Sequence, residues 1–268
     1  MILSDLHVHT KYCDGKSDAK DIVEKAIEMG FESIGFSGHS YTDFDGSYCM
    51  SSKGTELYRE ELIKLREKYP EIDILIGIER DYYSTESDNY DYVIGSLHYV
   101  VKDGVFMDVD NTAEIMVENV ERYFNGDYKE YVKCYYNNLR DIVEKTNADI
   151  VGHFDLVTKF NEGNKYFDEN AEWYRETALD TVRCIAKNKP VFEVNTGAIS
   201  RGFRTKPYPA KFILEEIKNL GCDIVITSDC HHAQNLGYAF EEAIEYVKDC
   251  GFDKVKVLTK NGFEYRNI

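Results

Sequence analysis

Met1-Ile2-Leu3-Ser4-Asp5-Leu6-His7-Val8-His9 opens the chain with an apolar run that ends in two imidazoles. Residues two apart on a strand point to the same face, so His7 and His9 can share one metal ion. The same arrangement, an apolar run closed by a histidine or a carboxylate, returns along the chain. Strand-like runs are read at Met1–His9, Ser33–His39, Ile72–Glu79, Tyr92–His98, Asp149–Phe154, Pro190–Asn195 and Asp223–Ser228, with Val255–Leu258 as a candidate eighth. Segments of helical spacing separate them. In the first, Ser17 and Asp18 offer capping oxygens, Ala19, Ile22, Val23, Ala26 and Ile27 recur at three- and four-residue steps, and Gly30 stops the helix. Thr55–Tyr69, Ala113–Phe124, Tyr128–Thr146, Asn170–Asn188, Ala210–Leu220 and Gln234–Cys250 read the same way.

Strand–helix alternation implies parallel strands joined by helical crossovers. Near-continuous apolar runs such as Asp223-Ile-Val-Ile-Thr227 suit strands covered on both faces. A (β/α) barrel and an open doubly wound sheet both satisfy this pattern, and the position of the polar residues selects the barrel. Of the seven histidines, His7, His9, His39, His98, His153 and His231 fall at or just past the C-terminal ends of expected strands, as do Glu79 and Asp229. In a parallel barrel those ends converge on one face, where barrel enzymes build their sites. Asp229-Cys-His231 repeats the two-residue spacing on a late strand, and Asp14 follows in the loop after the first. Taken singly, a strand-end histidine is more often a packed or surface residue. Together, these residues read as a metal site.

The 268 residues carry 32 Lys+Arg against 49 Asp+Glu, a formal net charge of −17. That balance disfavours a broad nucleic-acid surface but not a small anionic substrate, because metal ions can make one pocket positive. Seven scattered cysteines without a Cys-x-x-Cys pair argue against a disulfide framework or a thiolate zinc site. No apolar run approaches a membrane span, and the opening does not read as a signal peptide, so the expected location is the cytoplasm. With four prolines, no repeat and no linker, residues 1–268 are expected to form one domain.

Asp5-x-His7-x-His9, Ser37-Gly-His39, Gly77-Ile-Glu79, Gly95-Ser-Leu-His98, Gly152-His153, Glu193-x-Asn195 and Ser228-Asp229-x-His231 resemble the motifs of the polymerase and histidinol phosphatase (PHP) family. The resemblance runs from residue 5 to about residue 237. Its spacing, with Thr196-Gly-Ala-Ile-Ser-Arg201-Gly-Phe-Arg204 and Pro207-Tyr-Pro209, is most similar to the stand-alone histidinol-phosphate phosphatases of the family. It implies a distorted (β/α)7 TIM-like barrel with three divalent metals, Zn, Mn or Fe, at the strand C-termini. His7, His9, Glu79 and Asp229 would hold the first metal. Glu79 would bridge to a second held by His98 and His153, and Asp14, His39 and His231 would hold a third. Many relatives carry His where this chain has Asp14.

Three such ions against the carboxylates of Asp14, Glu79 and Asp229 leave net positive charge for a phosphomonoester. The expected nucleophile is a hydroxide between the first two metals, placed for in-line attack on L-histidinol phosphate, with Asp229 in the catalytic centre. His232 or a water is the candidate acid for the leaving alkoxide. The alternatives for His232 are a supporting contact or a plain surface position. Arg201 and Arg204, after the sixth strand, suit bidentate phosphate contact or a solvated loop equally, and Lys159 is a further phosphate candidate. Tyr41, Tyr48, Tyr82, Tyr83 and Tyr99 are candidates for a substrate wall, with Asp43, Asp45 or Asp81 facing the substrate's ammonium. Cys13 and Cys230, which flank expected ligands, are read as packing residues. A nucleotide phosphatase or a phosphodiesterase of the same family is the first alternative, and a metal-stabilised domain without turnover the second. No obligate protein partner is inferred.

Overall fold

The computed structural model describes residues 4–86 and 89–268. Met1–Leu3 of the expected first strand lie outside the described residues. The strands are β1 (Ser4–Asp5), β2 (Ser33–Phe36), β3 (Asp73–Asp81), β4 (Tyr92–Ser96), β5 (Tyr99–Lys102), β6 (Val105–Asp108), β7 (Ile150–Val151), β8 (Val191–Asn195), β9 (Asp223–Thr227), β10 (Lys254–Thr259) and β11 (Gly262–Asn267). Helices α1 (Ala19–Glu28), α2 (Ser52–Lys68), α3 (Ala113–Phe124), α4 (Tyr128–Leu139), α5 (Ile142–Thr146), α6 (Glu172–Ile185), α7 (Gly197–Ser200), α8 (Lys211–Asn219) and α9 (Phe240–Asp249) lie between them. Seven strands form one parallel sheet in the order β1-β2-β3-β4-β7-β8-β9. The sheet is nearly closed into a distorted barrel by ladder bonds beyond its first and last strands. Cys230 N–H donates to the His7 carbonyl at 2.9 Å, and His9 N–H to the Cys230 carbonyl at 2.8 Å.

Strand periodicity sorts side chains into two cores. On β3, Ile74, Ile76 and Ile78 face the helices, whereas Leu75 turns into the barrel, as Gly77 and Glu79 do by alternation. On β8, Phe192 and Val194 face outward, and Val191, Glu193 and Asn195 alternate with them. The inner face thus climbs from apolar residues at the base to charged ones at the mouth. Tyr92 spans the base, with its hydroxyl donating to the Leu6 carbonyl. A Cβ at Gly77 would fall 2.3 Å from the Tyr92 ring, so that neighbour must be glycine. Leu258 and Phe263, from β10 and β11, close the base against Leu6, Leu75 and Val225.

Several elements depart from expectation. Val255–Leu258 is a strand, but it pairs antiparallel with β11 outside the barrel. The run expected at Tyr128–Thr146 divides at Arg140–Asp141, where the Asp141 carboxylate accepts from the Tyr82 hydroxyl at 3.0 Å instead of serving a helix interior. The helix expected from Gln234 begins at Phe240, because Gly237 and Ala239 take positive φ. Asp18 does occupy the N-cap of α1, yet its side chain bonds Lys11, and Ser17 Oγ accepts from Ala233 N–H. The β5–β6 hairpin was not anticipated. Its Asp103-Gly104 loop has positive φ at both residues, the two-residue turn that matches strand twist.

Candidate metal centre

Ladder bonds extend the strands into the mouth and fix where each polar side chain projects. Glu79 N–H donates to the Gly38 carbonyl at 3.1 Å and Ser40 N–H to the Glu79 carbonyl at 2.9 Å, which sets His39 beside Glu79. Asp229 follows β9 with φ +49, a left-handed conformation that a non-glycine residue holds only under constraint.

Glu79 is the hub. Its Oε1 lies 2.9 Å from His153 Nε2 and 3.3 Å from His98 Nε2. Its Oε2 lies 2.8 Å from His39 Nδ1, 3.2 Å from His7 Nε2 and 3.5 Å from His9 Nε2. Asp229 Oδ1 stands 3.4 Å from His9 Nε2 and 3.8 Å from His7 Nε2. Asp14 reaches His231 Nε2 at 3.1 Å, His39 Nε2 at 3.7 Å and His9 Nδ1 at 3.8 Å. Every expected ligand is therefore present in one cluster. Three groups have their ligand atoms within 4.8 Å of one another: His9, Asp14, His39 and His231; His7, His9 and Glu79; His39, Glu79 and His98. His9 and His39 each belong to two groups, so the ligands divide less cleanly than the resemblance implies.

Hydrogen bonding fixes which ring nitrogens are bare. Glu193 Oε1 takes His7 Nδ1 at 2.5 Å, so that nitrogen carries the proton and Nε2 presents a lone pair to Glu79. Asp81 Oδ2 does the same for His98 Nδ1 at 3.1 Å. Lone pairs face carboxylate oxygens there, an arrangement that needs a cation between them. Consistent with this, His7 Nε2, His9 Nε2, Asp14 Oδ1 and Glu79 Oε2 are buried without a hydrogen-bond partner. Burial opposes the charge on Glu79, and positive charge placed at His39, His7 and His98 holds its pKa well below the usual carboxylate range; with the rings neutral, that charge must come from a cation among them. Charged oxygens and bare imidazoles in a buried mouth fit divalent metals.

Glu193 and Asp81 hold the His7 and His98 rings, contacts the sequence reading missed: it had Glu193 only within a family motif and Asp81 only as a carboxylate for the substrate's ammonium. Glu193 also accepts from His153 N–H at 2.6 Å and from the Thr227 hydroxyl at 2.7 Å. The signal for it was a carboxylate inside an apolar strand, the feature that marked Glu79.

A cavity of about 300 Å³ opens over the cluster. Arg201 and Lys159 line it. Arg201 Nη2 donates to Asp229 Oδ2 at 2.9 Å, and its Nε is buried without a partner. Lys159 Nζ donates to the Asp110 carbonyl at 2.6 Å and to Asp110 Oδ2 at 3.1 Å. Arg204 does not line the cavity. Its guanidinium is engaged by Glu169 and the Thr158 carbonyl, which makes it a loop anchor and removes it from the phosphate candidates. His232 takes the surface position that the sequence reading held as an alternative to the acid. It is exposed, and its Nδ1 accepts from Gln234 N–H at 3.2 Å, capping the turn Ala233–Asn235. Tyr48 and Tyr99 wall the cavity, whereas Tyr41, Tyr82 and Tyr83 do not line it. Cys230 is buried and Cys13 partly so.

The PHP domain family matches residues 5–197. A Schizosaccharomyces pombe protein described as a "probable histidinol-phosphatase" is 25% identical over 291 residues, covering 98% of this chain and 92% of the relative. The histidinol-phosphatase of Bacillus subtilis is 26% identical over 264 residues, covering 90% of this chain and 98% of the relative. The fold is shared with histidinol phosphate phosphatase from Lactococcus lactis, solved with zinc, L-histidinol and phosphate, at TM-score 0.72 and 21% identity over 97% of this chain and 98% of that one. With a match across most of its length and the family's motifs gathered at one barrel mouth, the chain belongs to the PHP domain family.

Proposed function

We propose that the protein is a metal-dependent phosphomonoesterase that hydrolyses L-histidinol phosphate to L-histidinol and phosphate. The observation that carries this reading is the convergence of His7, His9, Asp14, His39, Glu79, His98, His153, Asp229 and His231 beneath a cavity that also holds Arg201 and Lys159. The relatives named for this activity supply the alcohol half of the substrate. The nine residues would hold three divalent ions, Zn, Mn or Fe. Such ions supply Lewis acidity and lower the pKa of water toward neutrality.

The chain's own groups do the rest. Glu79 presents one oxygen to each half of the histidine cluster and holds the halves in register. Glu193 and Asp81 fix the rings of His7 and His98. Arg201, on the cavity wall, would present its guanidinium to a phosphate oxygen while Asp229 holds its Nη2. Lys159 adds a point charge at the cavity wall.

Residues 1–268 are read as one domain, because β9 and its Asp229-Cys-His231 extension lie beyond residue 197 and still close the barrel. Among the described residues no helix is long and apolar enough to cross a membrane, and seven free cysteines fit a reducing cytoplasm. The net charge of −17 fits a small-molecule substrate better than nucleic acid.

Phosphate release from L-histidinol phosphate, nucleotide monophosphates and bis-p-nitrophenyl phosphate, with metal content on the same sample, tests the reading. A strong preference for histidinol phosphate with close to three metals per chain is expected. Preference for a nucleotide or the diester would overturn the substrate. Full metal content without turnover would overturn the enzyme.

A further inference from the structure

The cavity has charges at two places. Near the metal cluster its cations are Arg201 and Lys159, both already paired, with Asp229 and Asp110 respectively. On the wall formed by the end of β6 stands Asp108, half-buried and lining the same cavity. Its Oδ1 accepts the backbone N–H of Asp110 at 2.9 Å and of Asn111 at 3.1 Å. Among the described residues no lysine, arginine or histidine lies in ion-pair contact with it. Burial and the neighbouring Asp110 push its pKa up to about 6, against a weaker opposing pull from His98. The other carboxylates that sequence reasoning offered for this role are committed or misplaced. Asp45 takes the Tyr99 hydroxyl at 2.8 Å, Asp81 orients His98, and Asp43 is exposed.

Position supports the same conclusion. Val109 N–H donates to the His98 carbonyl at 3.0 Å, which ties the end of the hairpin to the backbone of an expected metal ligand. In a 2-amino alkyl phosphate the ammonium is borne on the second carbon from the ester oxygen. With phosphate at the cluster, that short separation keeps the ammonium within reach of the cavity wall.

We infer that Asp108 is the specificity residue that receives the substrate's ammonium group within the cavity over the metal cluster. The inference rests on the phosphomonoesterase reading above. The hairpin is then a recognition element: its turn sets β6, β6 sets Asp108, and Asp108 distinguishes 2-amino alkyl phosphates from phosphomonoesters without the amine.

The test compares kcat/KM for L-histidinol phosphate with that for its desamino analogue, 3-(imidazol-4-yl)propyl phosphate, in the wild type and in Asp108→Asn. Asparagine keeps an oxygen for the two backbone N–H groups and removes the charge. The wild type should prefer the amine by roughly tenfold to a hundredfold, the worth of one charged contact. In the variant that ratio should fall to near one, with the change carried mainly by KM. A variant that loses both activities in proportion, with the ratio kept, has a structural Asp108 and overturns the inference. So does an unchanged ratio in a fully active variant. Competition by free L-histidinol against desamino histidinol in the wild type needs no variant, and equal inhibition by the two would likewise overturn it. These failures leave the function standing. A wild type that favours a nucleotide or diester in the broader substrate assay defeats the function and this inference together.

Discussion

Glu79 lies four positions beyond Leu75 on the same face of β3, about 13 Å of strand. The first sits in an apolar layer with Tyr92, Val191 and Val225, closed from below by Leu258 and Phe263. The second is a buried carboxylate among five imidazoles. The base is the end where burial stabilises. At the mouth, burying charge is costly until a cation compensates it. The barrel therefore separates stability from chemistry along its axis, and substitutions at the two ends should have separable effects.

The largest effect is expected at the hub. Glu79→Gln keeps the shape but removes the charge that faces both halves of the cluster. Metal content should fall, and phosphate release should drop more than about a hundredfold, beyond the loss typical of a residue that only supports a ligand. Elemental analysis beside a phosphate assay reads both. Full metal occupancy with full activity would break the contrast between the two ends.

At the base the order reverses. Leu258→Ala leaves a hole in the layer that closes the barrel and should cost about 2–5 kcal/mol of stability in urea unfolding. Below the unfolding transition, kcat/KM should remain within about twofold of wild type, since nothing at Leu258 touches the cavity. A large fall in kcat without loss of stability would show that the two ends are coupled.

Sequence legibility follows the same axis. The seven barrel strands were readable because each is an apolar run with a polar end, and His7, His9, His39, Glu79, His98, His153, Asp229 and His231 were readable as those ends. The supports were harder to read. Asp81 bonds His98 across 17 positions and Glu193 bonds His7 across 186, contacts that no local pattern announces. The β5–β6 hairpin was hidden for a different reason. Its turn signal, Asp103-Gly104, lay in a segment taken for a connection between a strand and a helix. For Arg204 and His232 the sequence left two readings open, a site role or a loop and surface position. Residue type near the mouth does not give direction, and Glu169 and Gln234 N–H hold these two away from the cavity.

The smallest effect, and the finest test of the boundary, separates adjacent residues. His231 Nε2 lies 3.1 Å from Asp14 inside the cluster, whereas His232 is exposed and caps a three-residue turn. His231→Ala belongs with the mouth and should reduce metal content and activity together. His232→Ala should change kcat by less than about twofold and cost about 0.5–1 kcal/mol of stability, the range for a lost cap. If His232 were the acid that protonates the leaving alkoxide, kcat would instead fall by at least about a hundredfold, and the basic limb of its pH profile would be lost. Extended backbone at His232 (φ −149, ψ 132) makes the two neighbours so different, because successive side chains there project to opposite sides, so that one enters the cavity and the next leaves it.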